Sequence, residues 1–284
     1  MTSNGDKNTI GIIAGNGMLP RDVAFALERK GQQVFIIGIA GECSGSIRQF
    51  DHKIVTWEQV GLLRKLLKKR GISKIVLAGG ILRRPEMNFL KMDWEGILSF
   101  LEIFTTLLSG DNKILTNVID VFEKRGLEIC NLVTLLPELF VKEGLNIGPR
   151  IGQKNLERIR YAASITKHLG SFDIGQAAVI VGNRVVALEG AEGTDAMLCR
   201  VSNLRNIGRI SRKAGGILYK SVKPGQDERA DLPSIGPRTV HHVFAAGLNG
   251  IGVEAGKTIV IEQRKTFALA QQHQIFIYGL TDAL

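Results

Sequence analysis

Two hydrophobic periods alternate along the chain. Residues 9–15 (TIGIIAG) form a short, β-branched apolar run ending in glycine, which predicts a buried strand. Leu19, Val23, Phe25, Ala26 and Leu27 then recur at helical spacing, with Gly31 where a helix C-cap belongs. Residues 33–40 (QVFIIGIA) supply a second strand, so the opening reads as a βαβ unit. The pattern repeats as a helix over 57–70, carrying Val60, Leu63, Leu66 and Leu67 and closed by Gly71, followed by KIVLAGG at 74–80. Strands that are apolar throughout and linked by helices predict a parallel sheet covered on both faces. A further helix is expected over about 113–125, ending at Gly126, and then the apolar stretch 127–141 is interrupted by Pro137.

The glycine-rich stretch 144–152 (GLNIGPRIG) is the best candidate linker, which places the expected boundary between domains 1–145 and 146–284. The second half opens with a helix over about 153–169. QAAVIV and RVVALE then flank Gly182-Asn183, a hairpin signal. A helix capped by Thr194 or Asp195 is expected to run to about 206, and GGILYKSVK (215–223) gives another strand. Beyond Pro237, suited to the first turn of a helix, the pattern reads helix, strand, strand, helix, strand. The fold class is therefore α/β: an N-terminal Rossmann-like parallel-sheet domain and a C-terminal α/β domain. No fixed-period repeat is present.

A length of 284 residues suits two ordinary domains, and 44% hydrophobic with 23% charged residues excludes disorder and fibrous architectures. No apolar run is long enough to cross a bilayer and residues 1–7 are polar, so a cytoplasmic protein is expected. Cys43, Cys130 and Cys199 have no CxxC or Cys/His ligand spacing, which argues against zinc and a disulfide framework. The net charge of +10 would attract polyanions, but the basic residues are dispersed. With 6% aromatic residues and no aromatic-basic stripe, no nucleic-acid partner is expected. The adjacent His241 and His242 would diverge on a helix and so would not share one metal.

Candidate chemistry concentrates at strand ends. Gly15-Asn16-Gly17 precedes a helix, where backbone N–H groups can approach an anion, but Pro20 stands in place of the third glycine of a dinucleotide fingerprint. Glu42 comes late for the acid at the end of the second strand. A tight structural turn and a nucleotide contact, as in a nucleotide-binding oxidoreductase, both fit. Arg83 and Arg84, after Gly79-Gly80, are candidate phosphate donors or a solvated pair. Asp111, with Asn112 beside it, is an N-cap or a ligand contact; Glu189, Glu192 and Asp195 offer hard oxygen ligands or a cap.

The densest stretch is 220–240. Prolines 224, 233 and 237 and glycines 225 and 236 exclude a continuous helix or central strand, leaving an ordered loop. In it Asp227, Glu228 and Asp231 interleave with Lys220, Lys223, Arg229 and Arg238, a mixture suited to holding a divalent cation and a phosphate together. A solvated surface turn is the plainer alternative.

Several long segments also match, in order, a known pattern: IIAGNGMLP (12–20), AGGILRRP (78–85), GDNKIL (110–115), DIGQAAVIVGNRVVALEGAEGTDAML (173–198), PGQDERADLPSIGP (224–237) and AGLNGIGVEAGKTIVIE (246–262). Through these the chain resembles the UDP-2,3-diacylglucosamine pyrophosphatases of the lipid A pathway, in the form found in bacteria lacking the metallophosphoesterase version. The resemblance implies hydrolysis of UDP-2,3-diacylglucosamine to UMP and 2,3-diacylglucosamine 1-phosphate (lipid X), with water attacking the α-phosphorus and Mg2+ as cofactor. It also implies a homodimer whose two domains hold the lipid product. Asp231, in the DLP segment, matches the family's essential acid, and Asp227 stands where members can carry glutamate. Glu192 and Asp195 fall in the EGTDAM motif and Asp111 in the GDN motif.

On that reading Asp231 and Asp227 are the expected catalytic acids, and with Glu192 and Asp195 the expected metal ligands. Lys223, Arg229 and Arg238 are expected to bind phosphate oxygens. Gly15, Asn16, Gly17 and Thr194, together with Arg83, Arg84, Asp111 and Asn112, are the remaining expected substrate contacts. Two acyl chains would be gripped by an apolar cleft at about 0.8 kcal/mol per buried methylene, for which 127–141 is one candidate wall and ordinary core the other use. The positive charge would favour transient, peripheral contact with the cytoplasmic face of the inner membrane.

Overall fold

A computed structural model describes residues 9–56, 59–81, 111–211, 213–229 and 231–281. The chain divides into two compact units: Met1–Leu136 with Asp227–Asp231, and Pro137–Gln226 with Leu232–Leu284. The division at Leu136/Pro137 lies ahead of the glycine-rich stretch expected to mark it. The reason is that residues 137–145 bond into the second unit: Val141 N–H donates to Thr258 O at 2.9 Å and Gly144 N–H to Gly279 O at 3.0 Å.

In the first unit five strands, β1 (Thr9–Ala14), β2 (Gln33–Ile39), β3 (His52–Val55), β4 (Lys74–Ala78) and β5 (Glu128–Ile129), form one sheet in the order β3-β2-β1-β4-β5. Every pairing is parallel, with Ile10 of β1 opposite Val34 on one side and Lys74 on the other. Helices α1 (Leu19–Arg29), α2 (Val60–Lys69), α3 (Asp111–Lys124), the short α4 (Leu132–Leu135) and a 3-10 turn at Gly45–Gln49 complete the described part. The expected Rossmann-like parallel sheet is thus present. β3 had no apolar signature, because it is an edge strand whose middle residues Lys53 and Ile54 are exposed. Phe35, Ile37, Leu63, Leu67, Ile75 and Ile119 form the centre of one core cluster, and each fully buried side chain contributes roughly 1.5–3 kcal/mol.

Because the strand order reverses between β1 and β4, their carboxyl ends form the crevice where open α/β sheets place ligands. Two glycine turns meet there. Gly15 N–H donates to Ala78 O at 2.9 Å and Asn16 N–H to Gly80 O at 2.7 Å. A Cβ on Gly15 would lie 2.4 Å from Gly80 O, and one on Gly79, whose φ is +89°, 2.5 Å from Asn16 O. Glycine is required at both positions so that one backbone can rest on the other.

The second unit contains β6 (Asn146–Ile147), α5 (Gln153–Ser171), β7 (Ala177–Val181), β8 (Arg184–Leu188), α6 (Gly193–Asn206), β9 (Gly216–Lys220), β10 (Ser234–Ile235), α7 (Pro237–Ala245), β11 (Gly250–Glu254), β12 (Ile259–Val260), α8 (Gln263–Gln272) and β13 (Phe276–Leu280). The main sheet runs β6-β13-β11-β9-β7-β8, parallel across β13-β11-β9 and antiparallel elsewhere, while β10 and β12 form a separate parallel pair. Alternation along the strands decides which face each side chain joins. Val179, Leu218, Ile251 and Ile277 pack with Met197 and Val201 of α6, Val240 and Val243 of α7 and Ala270 of α8. Their neighbours Ala178, Ile180, Ile217 and Phe276 pack with Ile159 and Ala162 of α5. The hairpin over Gly182-Asn183 forms as expected, with Gly182 at φ +63°.

One buried charge organises this unit. Arg205, 6% exposed at the end of α6, donates from Nε to Ala246 O (2.6 Å), from Nη1 to Ser211 O (2.5 Å) and from Nη2 to Ala214 O (2.8 Å) and Gly247 O (2.9 Å). It satisfies carbonyls at the end of α7 and in the connection leading to β9. Burial depresses its pKa.

Candidate active site

The acid-and-base loop follows directly from β9. Its amino-terminal root is held by backbone and side chains together. Ser221 N–H donates to Gln176 O at 3.0 Å, Ser221 Oγ to Thr166 Oγ1 at 2.9 Å, and Val222 N–H to the Glu254 carboxylate at 3.0 Å. A turn follows: Lys223 N–H donates to Gln226 Oε1 (3.2 Å) and Gln226 N–H to Lys223 O (3.2 Å), with Gly225 at φ +75°. The carboxyl-terminal root enters β10, where Ile259 N–H donates to Pro233 O at 2.9 Å and Ile261 N–H to Ile235 O at 2.9 Å. The loop is therefore held at both ends by the sheet elements it joins.

Within it, Asp227 forms an Asx-type turn, accepting Arg229 N–H at 2.9 Å. The Arg229 guanidinium grips the same carboxylate through Nε (3.0 and 3.3 Å) and Nη2 (2.7 Å), and its Nη1 reaches Glu123 Oε1 of α3 at 2.6 Å. This fork, the Arg229 hydrogen bond above all, holds the Asp227 carboxyl below the usual carboxylate range and raises the Arg229 pKa in return. Asp231 closes the turn through its N–H, 3.3 Å from Asp227 O, and its side chain is partly buried. Asp227 and Asp231 are thus brought into one short turn. Arg229, expected to hold phosphate, directs its donors at two carboxylates.

The other expected cations are matched in the same way. Lys223 Nζ donates to Asp173 Oδ1 at 2.7 Å. Arg238, whose side chain is 81% exposed, donates to Asp195 Oδ2 at 2.5 Å, and His242 Nε2 lies 4.0 Å from the same oxygen. Cys199 Sγ is 3.7 Å from His242 Nδ1, so Asp195 and Cys199 on α6 face Arg238 and His242 on α7 at matching one-turn spacing. Glu192 is the N-cap residue of α6, and a backbone hydrogen bond first, with Arg200 assisting, lowers its pKa. Arg200 Nη2 is 2.7 Å from Glu192 Oε1. Thr194 Oγ1 donates to Glu189 Oε1 at 2.6 Å, while Glu189 Oε2 accepts Gln176 N–H at 3.2 Å; Glu189 is 7% exposed. Thr194 therefore ties the start of α6 to the end of β8.

The expected metal ligands Asp231, Asp227, Glu192 and Asp195 do not form one cluster: among the described residues no group of three or more His, Cys, Asp or Glu side chains is arranged to hold a metal ion. The donor chemistry of the Asp227–Asp231 turn still suits magnesium, which takes one or two carboxylates and keeps several waters. In the first unit Gly15, Asn16 and Gly17 lie at the β1/β4 crevice ahead of α1, whose N-cap residue Met18 makes no side-chain cap bond. Asn16 Nδ2 donates to Glu42 O at 3.2 Å. Arg83, Arg84 and the side chains of Asp111 and Asn112 lie outside the described residues. Three acidic partners escaped the sequence reading, Glu123, Asp173 and Glu254. Only Glu254 had a signal, an acid ending the apolar run GIGV.

The N-terminal domain model of LpxI matches residues 9–139, and the C-terminal domain model of LpxI matches residues 142–278. The chain belongs to the LpxI family. It is 32% identical over 278 residues to the UDP-2,3-diacylglucosamine pyrophosphatase LpxI of Caulobacter vibrioides, an alignment covering 95% of this chain and 97% of that protein. The loop around Asp231 lies within the C-terminal match and the glycine turns at β1 and β4 within the N-terminal one.

Proposed function

We propose that this LpxI-family protein hydrolyses UDP-2,3-diacylglucosamine to UMP and lipid X in lipid A synthesis, with Asp231 as the acid that positions the attacking water at the α-phosphorus. The observation that supports this reading is the Asp227–Asp231 turn, which carries two acidic residues four positions apart, in a chain related over 95% of its length to a pyrophosphatase of that name. Hydrolysis of a phosphoanhydride needs positioning and neutralisation of charge on the phosphoryl oxygens. Magnesium, when bound, would supply much of that neutralisation, and Asp231 is the residue suited to hold it, because the Arg229 fork takes up both oxygens of Asp227. Arg229 favours the ionised form of Asp227, the form that only accepts hydrogen bonds.

Among the cations, the exchange of a carboxylate for a phosphate is cheapest at Arg238. Its ion pair is exposed and worth about 0–1 kcal/mol. Arg229 is held by two acids and serves the loop. No observation favours a nucleotide-binding oxidoreductase. Pro20 fills the third glycine's place in the first turn of α1, and Glu42 is buried at 5% exposure. Homodimerisation and transient contact with the inner membrane belong to the same reading, supported by the family resemblance and the +10 charge. Among the described residues no helix is long and apolar enough to cross a membrane.

Phosphorus NMR of products formed in oxygen-18 water tests the mechanism. Label in UMP is expected, and label in lipid X overturns attack at the α-phosphorus. Asp231→Ala is expected to remain folded while UMP release drops about a hundred- to a thousand-fold or more. Unchanged turnover would remove Asp231 from the chemistry.

A further inference from the structure

Lys220 and Glu254 end two adjacent parallel strands, β9 and β11, and neither is used in the mechanism above. Lys220 is only 6% exposed. Burying an ammonium is expensive compared with an apolar chain of equal length, so its retention at a strand end calls for a specific task. That task is visible in its bond: Nζ donates to the carbonyl of Ser234 at 3.1 Å, joining the residue before the loop to the first residue after it. Glu254 acts on the other root, where its Oε2 accepts the Val222 N–H at 3.0 Å.

We infer that Lys220 and Glu254 form a clamp closing the base of the 221–233 loop, and that both are positioning residues for Asp231; this rests on the reading of Asp231 given above. The geometry favours this role over plain stabilisation. The two strands are already held by their own ladder, with Lys220 paired to Val253, so the side-chain bonds add nothing to strand registry. They act on segments that leave the sheet: Val222 departs from β9, and Ser234 begins β10, which pairs with β12 instead of the main sheet. Without the clamp the loop roots keep their backbone bonds but lose the side-chain tie from Lys220 to Ser234 and from Glu254 to Val222. Misplacement of a reacting group by as little as about 1 Å can cost about a hundredfold in rate.

The test compares Lys220→Met, Glu254→Met, Glu254→Gln and Asp231→Ala in the full-length protein. UMP release from UDP-2,3-diacylglucosamine, circular dichroism and hydrogen exchange are measured for each. Lys220→Met and Glu254→Met are expected to lower kcat about tenfold or more with KM changed less than about twofold. Amides of 221–233 should exchange faster while those of β9 and β11 stay protected. Glu254→Gln, which keeps an acceptor for Val222 N–H, should recover most of the rate lost in Glu254→Met. Wild-type kcat in Lys220→Met overturns the clamp, as does a loss confined to KM. Should Lys220→Met fail to fold, equal kcat in Glu254→Met and Glu254→Gln overturns it. Full activity in Asp231→Ala would instead sink the reading of Asp231, which separates the two failures.

Discussion

Replacing Arg205 by methionine tests how much one buried cation holds the second unit together. Methionine matches the length of the aliphatic stem but donates nothing, so the carbonyls of Ser211, Ala214, Ala246 and Gly247 all lose the guanidinium. Each stranded buried acceptor costs about 1–3 kcal/mol, and the sum is offset by relief from burying a full charge. Carbonyls near the helix end recover part of the loss through water. A net loss of about 3–5 kcal/mol results, in the range found when one partner of a buried charged network is removed. For a unit of this size that corresponds to roughly 6–20 °C in Tm. Urea unfolding followed by circular dichroism gives the free energy, and differential scanning calorimetry gives Tm. Arg205→Lys should recover little, since one ammonium cannot reach four carbonyls arranged for a planar fork. Arg238→Met is the control, because its exposed pair with Asp195 predicts a change under about 1 kcal/mol. A loss below about 1 kcal/mol for Arg205→Met would refute the reasoning.

Two further outcomes follow from the first unit. Gly79→Ala combines a φ of +89° with a Cβ 2.5 Å from Asn16 O, so it should destabilise by about 2–4 kcal/mol, whereas Gly41→Ala (φ +81°, open space) should cost only about 1–2 kcal/mol; urea midpoints compare them. For Asp227, whose folded pKa is lowered by Arg229, stability from the ion pair is present above the unfolded value of about 3.9 and is lost as pH falls through the lower folded value. Asp227→Asn should therefore destabilise by up to about 1 kcal/mol at pH 7, with the difference shrinking as the pH falls below the unfolded value, as read from urea midpoints.

The sequence revealed elements better than partners. β1, β2 and β4 were legible because they are buried on both faces and read as unbroken apolar runs. β3 was not, since an edge strand with exposed Lys53 and Ile54 has neither an apolar run nor a clean alternation. The unit boundary was placed at glycines, whereas residues 137–145 already carry the backbone bonds of the second unit. The loop at 220–240 was legible because proline and glycine leave backbone few options. Its pairings were not: Arg229 meets Glu123 across 106 positions, Lys223 meets Asp173 across 50, and Arg238 meets Asp195 across 43. Charge type can be read along the chain, but ion-pair partners are set by the topology of the sheets.

Those pairings change what a mixture of acids and bases near a strand end signifies. In the sequence, Arg229 and Asp227 look like a phosphate donor and a metal ligand standing side by side. In the structure they are one bidentate unit, with the arginine anchored a second time to α3 through Glu123. A guanidinium committed to two carboxylates gains little by turning to a phosphate, because it would leave Asp227 without its counter-charge. Arg229 therefore acts on the order of the turn and on the ionisation of Asp227. Arg238, with its exposed side chain and, among the described residues, the one acid Asp195 as partner, can change its anion at small cost. The division of labour is between cations that build the loop and cations free to meet a ligand, and only the number and burial of their existing partners tells the two apart.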